Sequence, residues 1–202
     1  GSWSFDLQDQ LDHVVGGNDE NIALQIVGGG SVSSIDFSSV ITFTDADGDV
    51  VTGAAAGKFA ITVQDDIPVV APNATAVVAT VEEDDMRVVD GDNSSGNNED
   101  ASVNKDEASG VAGSLTALFI VGADEAGTIG LSGTTSGLPR LLSQGEELSY
   151  AVVGNVLTAT AHGDTIFTLT VNSNGSWSFD LQDQLDHVIG GNDENIALQI
   201  VG

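Results

Sequence analysis

Residues 148–181 read LSYAVVGNVLTATAHGDTIFTLTVNSNGSWSFDL, and this stretch decides the fold class. Leu148–Val153 and Val156–Ala161 are short runs rich in β-branched and small residues, separated by Gly154-Asn155, a two-residue hairpin signal. His162-Gly163-Asp164 is a second turn. It leads into Thr165–Val171, where Thr and apolar residues alternate as they do in a half-buried strand. Asn174-Gly175 turns the chain again, into Trp177-Ser-Phe-Asp-Leu181. Working outward, the same grammar returns: Trp3–Leu7, Ile22–Val27, Ser39–Thr44, Lys58–Gln64, Thr75–Val81 and Ser114–Val121 all read as strands bounded by Gly, Asn and Asp. Turns every 8–12 residues with little helical periodicity predict an all-β, antiparallel, immunoglobulin-like sandwich. The residues from Asp90 to Gly110, rich in Asn, Asp, Ser and Gly, read as one long loop, either mobile or ordered by metal.

A self-match sets the organisation. Residues 1–28 recur at 175–202 with one change, Val15 to Ile189, an offset of 174 residues. Near-identity over that length implies tandem duplication, and hence an array with a period of 174. Within it, residues 1–66 are expected to be the C-terminal part of one repeat, 67–70 a linker stiffened by Pro68, and 71–202 most of the next. Trp3–Leu7 and Trp177–Leu181 are copies of one strand, so they cannot fill the same slot of one domain. Either one copy pairs with a partial neighbour, or residues 1–66 complete a sandwich in another molecule, giving head-to-tail self-association.

The charge is the second constraint. The 202 residues carry 31 Asp and Glu against four Lys and Arg, a formal charge of −27, with 41% apolar residues. That apolar share supports a folded core rather than an acidic tail. Nucleic acid and anionic membranes are poor partners for such a surface, and no apolar run is long enough to cross a bilayer as a helix. There is no cysteine, so disulfides and thiolate metal sites are absent. No stretch reads as a leader, so an export signal is expected to lie outside the segment.

Asp45-Ala-Asp47-Gly-Asp49 places three carboxylates at alternate positions of a turn. Their repulsion is costly unless a cation is shared, and hard oxygen ligands suit calcium. The spacing is not that of an EF-hand, since glycine comes fourth and the twelfth position is Ala56. The plain alternative is a solvated Asp/Gly turn. Asp65-Asp66 ends a strand ahead of Pro68, and is either an exposed acid pair or a calcium site at a domain junction. Enzyme signatures are missing: Gly53–Lys58 is one residue short of a phosphate loop and is followed by Phe59, and the acids are bunched in turns rather than spaced across a groove. The chain is expected not to be an enzyme.

Several motifs, in this order, carry a family likeness. They are Gly113-Ser-Leu-Thr with Val121-Gly-Ala-Asp124, Gly145-Glu-Glu-Leu-Ser-Tyr150, and Phe167-Thr-Leu-Thr-Val with Gly175-Ser-Trp-Ser-Phe-Asp-Leu. Leu185-Asp-His187, Ile35-Asp-Phe, Phe43-Thr-Asp-Ala-Asp-Gly-Asp and Ile61-Thr-Val-Gln-Asp-Asp-Ile-Pro68 complete the set. The chain resembles the tandem cadherin-like extender repeats of giant type I-secreted RTX adhesins. That resemblance implies a secreted, cell-surface protein of biofilms, whose repeats bind Ca2+ at turns and between domains and project a distal ligand-binding region. It adds Glu82, Glu83, Asp84 and Asp124 to Asp45, Asp47, Asp49, Asp65 and Asp66 as expected calcium ligands, and neighbouring repeats as partners. The alternative within the same likeness is a module that itself binds carbohydrate or another surface polymer.

Overall fold

The computed structural model describes residues 1–16, 18–97, 105–123, 126–190 and 196–201. The chain is all-β and antiparallel, as the alternating pattern predicts for a sandwich, and its only helical segments among the described residues are single 3-10 turns. It divides into two compact units. The first is Gly1–Val69 with Ile120–Gly127, and the second is Val70–Phe119 with Thr128–Gly202.

The second unit is built on a five-stranded antiparallel sheet. In spatial order the strands are Ser149–Val153, Val156–Ala161, Asp164–Val171, Trp177–Leu181 and Glu107–Gly110. The first four follow the chain as a meander because the turns between them are short. Gly154 has φ 62°, which a first-position turn glycine tolerates, and His162-Gly163 are both left-handed at 55° and 92°. A register shift between Ala159 and Thr160 bends the sheet.

Registration then sorts the side chains. Tyr150 pairs with Ala159, Ala159 with Phe167, and Phe167 with Leu181, while Leu169 pairs with Phe179 and Phe179 with Ala108. Directly paired residues share a face, so these form one apolar face, and Thr158, Thr168, Thr170 and Ser178 line the other. Leu141 and Leu148, flanking the small Leu142–Ser143/Glu146–Glu147 ladder, pack with Ala159, Ala161 and Ile166 as the buried core. Tyr150, Phe167 and Phe179 continue it as a row of tilted rings, with centroids 6.2 and 5.1 Å apart.

The long-loop reading fails at its end, because Glu107–Gly110 is the edge strand beside Trp177. The reason lies in Gly110, where an added Cβ would collide with the Trp177 indole nitrogen and the Ser114 hydroxyl. The expected strand Thr75–Val81 is not one. Its Ala79 and Val81 instead border a small apolar cavity with Ala108, Leu169, Trp177 and Phe179, and they work as cover without joining a ladder.

The described residues of the first unit form short ladders: Leu24–Gln25 with Ser31–Val32, Ile35–Asp36 with Ala60–Ile61, and Thr42–Thr44 with Val50–Thr52. Lys58–Gln64 contracts to two strand residues, and Trp3–Leu7 forms no strand. Trp3, Phe59, Phe37 and Phe5 instead meet as successive ring contacts of 5.4, 5.7 and 6.3 Å, with Trp3 still 66% exposed. Trp3 is therefore a surface residue rather than part of a core.

Candidate metal centres

The Thr42–Thr44/Val50–Thr52 hairpin presents the first acidic turn. Asp45 Oδ1 accepts the N–H groups of Gly48 (3.1 Å) and Asp49 (2.8 Å), and Gly48 adopts φ 99° to allow it. One ligand oxygen from each of Asp45, Asp47 and Asp49 lies within 4.8 Å of the others, all on exposed residues. A hydrogen bond shared with the Asp47 side chain, followed by the Asp49 N–H, holds the Asp45 carboxyl below its ordinary range. Chemically this is a preformed, solvent-open oxygen cluster.

Asp65 and Asp66 are occupied within the first unit. Asp65 Oδ1 lies 3.4 Å from His13 Nδ1, and Asn21 Nδ2 donates to Asp65 Oδ2 at 3.4 Å. The Asp66 carboxylate accepts the Ala123 N–H at 2.8 Å. In the second unit, Glu82 pairs with Lys105 Nζ at 3.0 Å. Glu83 opens the 3-10 turn Glu83–Asp85; its Oε1 accepts the Leu185 N–H at 2.7 Å and faces His187 Nε2 at 3.3 Å. The backbone of Asp84 lies so close to Gly96 that no Cβ fits there. Asp124 lies outside the described residues. Among the described residues, none of these acids joins a cluster with converging ligand atoms.

A second cluster has no signature in the sequence. Asp92, Asp106 and Asp180 each offer a ligand oxygen within 4.8 Å of the others, and it is a buried site: Asp92 is 8% exposed and Asp106 2%. Three tethers build it. The Leu181 N–H donates to the Asp106 carbonyl (3.1 Å), which extends the ladder between Trp177–Leu181 and Glu107–Gly110 by one residue. Asn93 donates its N–H to the Gln182 carbonyl and its side-chain amide to the Thr165 carbonyl, both at 2.7 Å, which presses the neighbouring Asp92 onto the sheet end. Arg87 N–H to Asp92 Oδ2 (2.6 Å) and Gln182 Nε2 to Asp180 Oδ2 (2.7 Å) orient two of the carboxylates. Burial pushes Asp106 up to about 6, and the negative Asp92 and Glu107 add to it. In the sequence Asp92 and Asp106 sit in what reads as one loop and Asp180 in a strand, so only the tertiary fold brings them together.

Fold and site together define an acidic, all-β chain with, among the described residues, one exposed and one buried carboxylate cluster. Compared with protein-family models, with curated proteins and with solved structures, the chain has no match.

Proposed function

We propose that this chain is a segment of a calcium-stiffened tandem array, an extender that holds a distal ligand-binding region away from a bacterial cell surface. The carrying observation is the 28-residue repeat at an offset of 174 residues in a strongly acidic chain that folds as antiparallel β. A repeated sandwich is a spacer by construction, since each copy adds length without adding a new site. The charge supplies the switch: self-repulsion loosens the chain without divalent ions, and bound calcium orders it on reaching a calcium-rich exterior. Asp45, Asp47 and Asp49 are the ligands the geometry favours, and Asp65, Asp66, Glu82, Glu83, Asp84 and Asp124 belong to the same reading by resemblance.

Thermal melting in calcium and in chelator tests it. Calcium is expected to raise the midpoint by several degrees, and identical melting curves would sink the calcium extender. One observation favours a second reading, a carbohydrate-binding module: Trp3 is mostly exposed beside Phe59, in the manner of a sugar-stacking platform. A glycan array without hits would remove that alternative.

A further inference from the structure

We propose that Asp92, Asp106 and Asp180 bind one calcium ion inside the second unit, clamping the segment at 92–93 onto the end of the Glu107–Gly110/Trp177–Leu181 strand pair. Convergence of three carboxylates alone would not carry this. The added observation is Asp106 Oδ1, a buried oxygen with no hydrogen-bond partner, on a residue 2% exposed whose carboxylate offers a ligand oxygen to the cluster. A buried acceptor left without a donor is costly, and more so when charged. Native structures leave such an atom unmatched where something else meets it. Water is a poor candidate to settle it, because a single water cannot offset three converging negative charges. A hard divalent cation does both.

The ligand chemistry selects the ion. The three converging side chains offer oxygen only, with no imidazole or thiolate among them, which disfavours zinc and copper. Calcium accepts six to eight oxygens in flexible geometry, and three carboxylates with water completing the shell satisfy that. Magnesium demands a tighter octahedron and holds its water. The tethers already described orient Asp92 and Asp180, so much of the ordering is done before the ion arrives. The ion would join residues from a segment outside the ladder, from the start of the edge strand and from the strand beside it. In its absence the 92–93 segment is fastened by its hydrogen bonds alone.

This deepens the calcium reading above and rests on it only for the identity of the ion. Calorimetric titration of the chelator-stripped full chain with calcium, for the unaltered protein, Asp106→Asn and the triple variant Asp45→Asn/Asp47→Asn/Asp49→Asn, separates the two. Asp106→Asn is expected to bind one ion fewer per chain. It should also lose the calcium-induced rise in melting temperature of the second unit, while melting in chelator at or above the unaltered protein because a buried charge is gone. The triple variant should keep that ion. An unchanged ion count in Asp106→Asn, with the count falling in the triple variant, overturns the buried site and leaves the extender intact. No binding to any of the three overturns both. Equal binding of magnesium overturns the assignment to calcium. Should Asp106→Asn fail to fold, Asp180→Asn is read in its place. Amide shifts of Asn93 and Leu181 during calcium titration of the unaltered chain then decide between the outcomes: movement supports the site and stillness refutes it.

Discussion

Residues 1–28 and 175–202 differ only at Val15 and Ile189, and they do not fold alike. Trp177–Leu181 is an interior strand, hydrogen-bonded to Asp164–Val171 on one side and to Glu107–Gly110 on the other. Trp3–Leu7 is in no ladder, and its Leu7 is 46% exposed where Leu181 is 2% exposed. Beyond the strand the two copies converge again. Val14 N–H to Ala23 and Gln25 N–H to Asp12 recur as Val188 to Ala197 and Gln199 to Asp186, each at 2.7–2.8 Å. The isolated bridge His13 to Leu24 recurs as His187 to Leu198. Two shorter contacts are also shared: Gln8 to Asp6 as Gln182 to Asp180, and Gln10 N–H to Asp9 as Gln184 N–H to Asp183. Bonds closed within 13 residues survive the change of surroundings, and the strand, whose partners are remote, does not.

The strongest challenge to this contrast is a pair of identical truncations. Leu181→Ala removes a side chain from the packed end of the sheet and is expected to cost about 2–5 kcal/mol. Leu7→Ala, the same change in the same local sequence, should stay within about 0.5 kcal/mol. Urea denaturation of both variants reads the difference, and equal costs would mean that Trp3–Leu7 is also an interior strand.

Next in size is Gly110→Ala. Its methyl group would strike the Trp177 indole and Ser114, so the edge pairing that distinguishes the second copy should loosen by about 1–3 kcal/mol. A stability equal to the parent's, with the Trp177 fluorescence unmoved, would show that this contact does not hold the strand.

Tyr150→Phe is a smaller probe of the same aromatic face. The Tyr150 hydroxyl donates to the Pro139 carbonyl at 2.7 Å, and losing that bond should cost about 0.5–1.5 kcal/mol. Burial raises the Tyr150 phenol above its ordinary range. The folded form therefore keeps its proton longer than the unfolded chain, whose tyrosine titrates near pH ~10. Its contribution is complete below that pH and is lost as pH climbs through the folded value. Alkaline denaturation should begin later in Tyr150→Phe than its neutral-pH stability suggests. A parallel shift of the two curves would contradict this.

The smallest difference is expected in the shared turn. By hydrogen exchange, the amides of Gln25 and Gln199 should be protected to within about tenfold of each other, while those of 178–181 exchange far more slowly than those of 4–7. Divergent protection at Gln25 and Gln199 would make even the turn dependent on its surroundings.

How far the residues alone foretell the molecule varies along the chain in a consistent way. Ser149–Val153, Val156–Ala161, Asp164–Val171 and Trp177–Leu181 are legible because two-residue turns join the first three and a short Asn-Gly turn the fourth, so alternation and neighbour coincide. Glu107–Gly110 is not, because EASG has no strand signature and becomes a strand only by offering Gly110 beneath Trp177. Among the acids, Asp45, Asp47 and Asp49 converge in space because one tight turn spans them. Asp92, Asp106 and Asp180 converge because the ladder carries Asp106 to Leu181 and Asn93 bonds bring Asp92 alongside, neither of which any local pattern announces.

By itself the sequence determined the turns, the short side-chain and backbone bonds, the alternation of faces and the recurrence of 28 residues at an offset of 174. All of these are set by dihedral preference, spacing or identity within a small window. Only the tertiary structure decided which copy of Trp-Ser-Phe-Asp-Leu becomes a strand and which carboxylates lose their water. A ladder needs an edge to bind and a buried charge needs walls around it, and both come from residues far away along the chain.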